Sequence, residues 1–106
     1  MPIYGLSTEI ARNIYTFDTL TAVGISESVE VRGTNLTFIN IVTGGSVTWE
    51  IQCSLDGTNW ASIDTAKTKS AGTHADFYTG RVTRYVRIEV TSINTGHTLS
   101  VTLGAS

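Results

Sequence analysis

The chain has 106 residues, seven basic and nine acidic side chains, a net charge of −2 and a single cysteine. That length suits one domain; one cysteine makes neither an internal disulfide nor a Cys-based zinc site, and no apolar run approaches the roughly 20 residues of a membrane-crossing helix. The five arginines and two lysines form no block, so the counterion-release footprint of a nucleic-acid binder is missing. Threonine is the unusual count, at 18 residues, and with 10 isoleucines and 9 valines it brings β-branched residues to about a third of the chain. Such side chains are stiff at χ1 and fit a pleated sheet. Charged residues are only 15%, against a usual quarter or so, so Thr, Ser, Asn and Gly must cover the solvent face of an all-β domain.

Met1-Pro2-Ile3-Tyr4 has no basic start and no apolar stretch behind it, so no signal peptide is expected. Residues 1–8 read as an N-terminal arm and residues 9–106 as one β-sandwich domain. Glu9 to Phe17 is ambiguous, since Ile10 and Ile14 share a helical spacing, yet Ile14, Tyr15 and Phe17 favour a strand. Further strands are predicted at about 27–32, 36–43, 46–55, 58–63, 73–79, 83–92 and 97–103. Turn signals separate them at Gly33-Thr34-Asn35, Gly44-Gly45, Asp56-Gly57, Ala71-Gly72, Thr79-Gly80 and Asn94-Thr95-Gly96. Seven or eight short strands at this spacing predict an antiparallel sandwich.

Three hairpins are expected from register. A turn at Gly44-Gly45 pairs Val42 with Val47 and places Leu36, Phe38, Val42, Val47, Trp49, Ile51 and Cys53 on one apolar face, with Asn40 as its polar exception. It turns Ile39 and Ile41 outward, where either another chain or a second layer of the same domain covers them. A two-residue turn at Asp56-Gly57 pairs Cys53 with Trp60, which puts Trp60 in the core and leaves Ile63 outside unless a bulge or a strand end intervenes. A turn near Asn94-Thr95-Gly96 pairs Val90 with Leu99, Ile88 with Val101 and Val86 with Leu103, while Tyr85, Arg87 and Glu89 face outward. Arg84, near a strand start, is expected at the rim beside an acidic group and is a candidate partner contact.

Chemistry-bearing patterns are few. No Gly-x-Ser-x-Gly, His-Glu-x-x-His or phosphate loop occurs, and no enzyme activity or cofactor is expected. His74, His97 and Asp76 are conceivable metal ligands, and Asp56, Asp64 and Asp76 conceivable calcium ligands, but nothing in their spacing fixes a geometry; the expectation is no metal. Cys53, on the apolar face, is expected to be a buried, inert thiol.

The most specific stretches are Ser54-Leu55-Asp56-Gly57-Thr58-Asn59-Trp60 and Arg84-Tyr85-Val86-Arg87-Ile88. The pair S-x-D-G-x-x-W … R-Y-V-R-I resembles the strand motif of discoidin-like (coagulation-factor type C) jelly-roll sandwiches, over roughly residues 46–103. It also looks like small virion proteins of tailed bacteriophages. The resemblance makes Asp56, Gly57, Trp60, Tyr85 and Arg87 structural motif residues and implies a jelly-roll-like sandwich. It further implies a non-enzymatic virion protein: a capsid decoration or cement protein, made in the host cytoplasm and assembled onto the major capsid protein or other virion proteins. A tail, baseplate or fibre role, and a carbohydrate-binding module that takes a host-surface glycan, are the alternatives. For the last, Tyr4, Tyr15, Tyr78 and Tyr85 are the candidate platforms. A homo-oligomer, trimer first, is expected, with no nucleic acid and no membrane partner. Besides Ile39, Ile41 and Arg84, the partner-contact candidates are Pro2, Ile3 and Tyr4, on an arm that could add a strand to a neighbour's sheet.

Overall fold

The computed structural model describes residues 7–80 and 83–106. Pro2, Ile3 and Tyr4 therefore lie outside the described residues. The described chain is all-β, with eleven strands in order: β1 (Ser7–Ala11), β2 (Ile14–Leu20), β3 (Gly24–Ile25), β4 (Val29–Glu30), β5 (Leu36–Thr43), β6 (Val47–Ser54), β7 (Ala61–Ser62), β8 (Lys67–Lys69), β9 (Gly72–Tyr78), β10 (Tyr85–Ile93) and β11 (Thr98–Ala105). A five-stranded sheet runs β1-β2-β11-β5-β9, and a second runs β3-β10-β6-β7, with β4 also on β10 and β8 also on β6. All pairings are antiparallel. The excess over seven or eight strands comes from short edge pieces and from the first segment, which is a hairpin rather than one strand. Its turn at Arg12-Asn13 is allowed by Asn13 in the left-handed region (φ 60°).

The two sheets face each other across a single core. Phe17, Leu20, Leu36, Phe38, Val42, Leu99, Val101 and Leu103 come from the five-stranded sheet, and Val47, Trp49, Ile51, Val86, Ile88 and Val90 from the other. The alternation anticipated along β5, β6, β10 and β11 holds: β5 reads buried at Leu36, Phe38, Asn40 and Val42, and exposed at Ile39 and Ile41.

Two of the expected hairpins do not form. β5 pairs with β11 and β9, whereas β6 pairs with β10, β7 and β8. The chain thus crosses from one sheet to the other at Gly44-Gly45, and crosses back at Asn94-Thr95-Gly96. Apolar matching cannot tell the arrangements apart, because Ile88 meets Ile51 and Leu99 meets Val42 as well as either would meet the hairpin partner. A hairpin and a corner both keep the same side chains inward. The two corners stack on each other. A side chain at Gly44 would approach Gly96 O to 2.5 Å, one at Gly45 would meet the His97 ring at 2.4 Å, and His97 Nδ1–H donates to Ser46 O at 2.9 Å. Only glycine permits that approach.

The third turn forms one residue out of register. Cys53 lies opposite Ala61 and Gln52 opposite Ser62, so Ile63 becomes buried and Trp60 leaves the core, half-exposed. Cys53 is half-buried rather than enclosed.

Candidate functional site

The two motif stretches meet on the outer face of the β10-β6 sheet. Ser54 Oγ accepts hydrogen bonds from the N–H groups of Gly57 (2.9 Å) and Asp56 (3.3 Å) and donates to Asp56 Oδ1 (3.0 Å). Asp56 Oδ1 also accepts from the N–H groups of Thr58 and Asn59, both at 2.8 Å, and Oδ2 accepts from Asn59 Nδ2 at 2.7 Å. The Asn59 and Thr58 N–H groups, ahead of the side-chain contacts, hold the Asp56 carboxyl far below the usual carboxylate range. Gly57, at φ 79°, lets the turn pass over the Tyr85 ring.

From β10, Arg87 stacks on Trp60 with its guanidinium 4.0 Å from the ring centroid and donates through Nε to Gln52 Oε1 at 2.7 Å. Gln52 Nε2 in turn donates to Glu89 Oε1 at 2.9 Å. Arg84 lies over Tyr85 and donates through Nε to Glu30 Oε2 at 2.7 Å. The expected rim placement of Arg84 beside an acid is what the structure has. Asp56, Gly57, Trp60, Tyr85 and Arg87 are thus a clasp that fixes the turn to the sheet, and its polar groups already hold one another.

A depressed carboxyl contributes stability that is fully present above its unfolded pKa, about 3.9, and is lost as the pH falls toward the folded value. Asp56→Asn is therefore expected to lower the melting temperature at neutral pH. It should also soften the further fall between about pH 4 and pH 2 relative to the parent chain. Thermal melts across that range check both.

Asp64 and Asp76 form a second cluster, on the lateral edge where β8 and β9 face each other. Lys67 Nζ lies 3.2 Å from Asp76 Oδ1 and 3.4 Å from Asp64 Oδ2, and sits over the Tyr78 ring. Asp76 Oδ2 accepts from Nδ2 of the fully buried Asn40 at 2.8 Å. Burial works against the Lys67 charge, but the hydrogen bonds to Tyr78 and Asp76 outweigh it and hold the ammonium above its ordinary pKa. Asp64 and Asp76 therefore hold a lysine, while Asp56 is closed in its own turn. His74, on β9, donates to Ser70 O just before that strand, away from His97 at the corners. No group of three metal-ligating side chains comes together among the described residues.

Of the four candidate tyrosine platforms, Tyr4 lies outside the described residues and Tyr78 is buried. Tyr85 lies beneath Arg84. Tyr15 is half-buried at a cleft of about 510 Å³ shared with Glu9, Arg12, Val29, Glu30 and Arg32, and its hydroxyl donates to Glu30 O at 3.0 Å.

The outer face of the five-stranded sheet is different in kind. Ile39 is 36%, Ile41 45% and Phe77 70% exposed. Register sets them together: Ile39 lies opposite Ala75 on β9 and Thr102 on β11, Ile41 opposite Thr73 and Ser100, and Phe77 opposite Thr37. Phe77 is thus the diagonal neighbour of Ile39, within reach for an aromatic ring. The outward positions of β11, β5 and β9 carry no charge. The sequence placed Ile39 and Ile41 outward but passed over Phe77. The signal lay in the adjacent pair Phe77-Tyr78, of which only one can face inward on a strand.

The F5/8 type C domain model matches residues 23–103. The chain belongs to the F5/8 type C domain family. The match takes in β3 to β10, most of β11 and both halves of the clasp, extending the sequence resemblance upstream, while the β1-β2 hairpin lies outside it. No curated protein matches the chain. In this F5/8 type C domain, then, one sheet face carries a hydrogen-bonded polar clasp, and the outward positions of β11, β5 and β9 on the other sheet are uncharged and apolar-studded.

Proposed function

We propose that this domain is a non-enzymatic docking module: a virion structural protein that decorates the capsid and stabilises it, seated through the outer face of its five-stranded sheet. The observation that carries the reading is the cluster of Ile39, Ile41 and Phe77 on an uncharged face. Isolated exposed apolar residues are ordinary on a protein surface, whereas a contiguous patch marks an interaction site. The likeness of the S-x-D-G-x-x-W … R-Y-V-R-I motif to small phage virion proteins supplies the class of partner, a shell protein. The work is mechanical: a rigid sandwich seated across neighbouring shell subunits buries apolar surface and ties them together. No chemistry is needed, and the protein would act on the particle after synthesis in the host cytoplasm. A tail or baseplate position would use the same face at fewer copies.

Quantifying the chain against the major capsid protein in purified particles tests this. Hundreds of copies support decoration, a handful move it to the tail or a vertex, and absence removes the virion reading.

A second reading, a carbohydrate-binding module, draws on the F5/8 type C family, whose members often bind carbohydrates, and on the polar cleft beside Tyr15. Titration with host-surface glycans would then shift the Tyr15 ring resonances, and unchanged spectra would remove it.

A further inference from the structure

We propose that β9 is a self-complementary edge through which two copies of the chain join their five-stranded sheets into one continuous sheet about a two-fold axis at Ala75. This goes beyond the docking reading, since it concerns free chains in solution. An open sheet edge presents unpaired N–H and C=O groups to any passing strand, and proteins blunt such edges with short strands, lysines or bulges. Three edges of this sandwich carry those devices. β3 and β4 are two residues each, β7 is two residues, and β8 is three with Lys67 and Lys69 at its ends. β1 has a register shift between Glu9 and Ala11. The fourth edge, β9, runs seven residues in unbroken register with β5, has neither proline nor lysine, and has no second strand paired to its backbone among the described residues, β8 reaching it through side chains alone.

The sequence of β9 fits its own reverse. With Ala75 opposite the second copy's Ala75, Thr73 meets Phe77, a favourable aromatic–β-branched pair. His74 meets Asp76; these two point inward and are already held by Ser70 O and by Lys67 and Asn40, so they neither add to nor oppose the fit, and no like charges face each other anywhere along the strand. Each contact occurs twice, as an isologous interface requires. Thr73, Ala75 and Phe77 are exposed and lie on the same outer face as Ile39 and Ile41, so joining two copies doubles that face without covering it. The proposed assembly is a two-fold pair, where the sequence favoured a trimer.

The axis makes the test specific, because residue 75 meets only itself. Sedimentation equilibrium of the whole chain is expected to give twice the 11.4 kDa chain mass. Ala75→Lys and Ala75→Glu, each placing like charges face to face at an exposed position, should each weaken self-association at least tenfold while the circular dichroism spectrum stays that of the parent. Mixing the two variants should restore a dimer, since one lysine then faces one glutamate. A monomeric parent chain, an undiminished Ala75→Lys dimer, or a mixture no tighter than either variant alone would overturn the proposal. None of these outcomes bears on whether the chain is present in particles.

Discussion

Trp49→Ala is expected to cost about 3–5 kcal/mol, the range for truncating a fully buried large aromatic. Trp49 has no exposed surface and sits on β6 between Val90 of β10 and Lys67 of β8, at the centre of the sheet. Domains of this size typically have only about 5–15 kcal/mol in hand, so the variant should be largely unfolded at modest urea. Trp60→Ala should cost far less. It loses a half-exposed ring and its stack with Arg87, an interaction worth about 0.5–1 kcal/mol at an exposed site. Urea titrations of the two variants side by side check the contrast. Equal losses would return Trp60 to the core, where the two-residue hairpin had placed it.

Asp76→Ala is expected to cost about 2–4 kcal/mol, because one change strips two largely buried groups of a partner. Lys67 would lose its 3.2 Å ion pair and Asn40 the acceptor of its Nδ2. Asn40 Oδ1 already has no hydrogen-bond partner among the described residues, so the side chain would be left with none. The same cluster sets an alkaline limit. A lysine whose folded-state pKa is raised contributes stability that is fully present below its unfolded value and is lost as the pH climbs through the folded one. The parent chain should therefore lose stability above about pH 10.4. Tyr78, pushed up by burial, acts in the same direction, so Lys67→Met should flatten that alkaline slope without abolishing it. Urea midpoints at neutral and alkaline pH separate the two contributions.

These two expectations show where sequence reasoning reaches and where it stops. Parity along a strand is local, so the inward sets of β5, β6, β10 and β11 were legible from alternation alone, as were the outward Ile39 and Ile41. Pairing is not local. Val86, Ile88 and Val90 find equally apolar partners on β6 or β11, and a corner built from Gly44-Gly45 keeps the same residues inward as a hairpin would. The Trp60 misplacement has the same root in miniature. One extra residue in the Asp56-Gly57 turn, stabilised by side-chain hydrogen bonds from Ser54 and Asp56, flips every following residue to the other face. That slip exchanges Trp60 for Ile63 in the core. The Lys67–Asp76–Asn40 cluster joins three separate strands, so no spacing in the chain announces it. Phe77 was missed because β9 had no register to β5 until the sheets were assembled.

In the proposed role, the uncharged outer face of β11, β5 and β9, not the polar clasp, seats this domain on a particle. The most direct test is to add back purified protein to particles that lack it and measure occupancy. The parent chain should rebind, while an Ile39→Lys, Ile41→Lys double variant should stay folded yet lose at least tenfold in occupancy. Both side chains point outward, so the core is untouched. Arg87→Ala, on the opposite face, should bind as the parent does. Full occupancy by the double variant, or a loss confined to Arg87→Ala, would contradict the account.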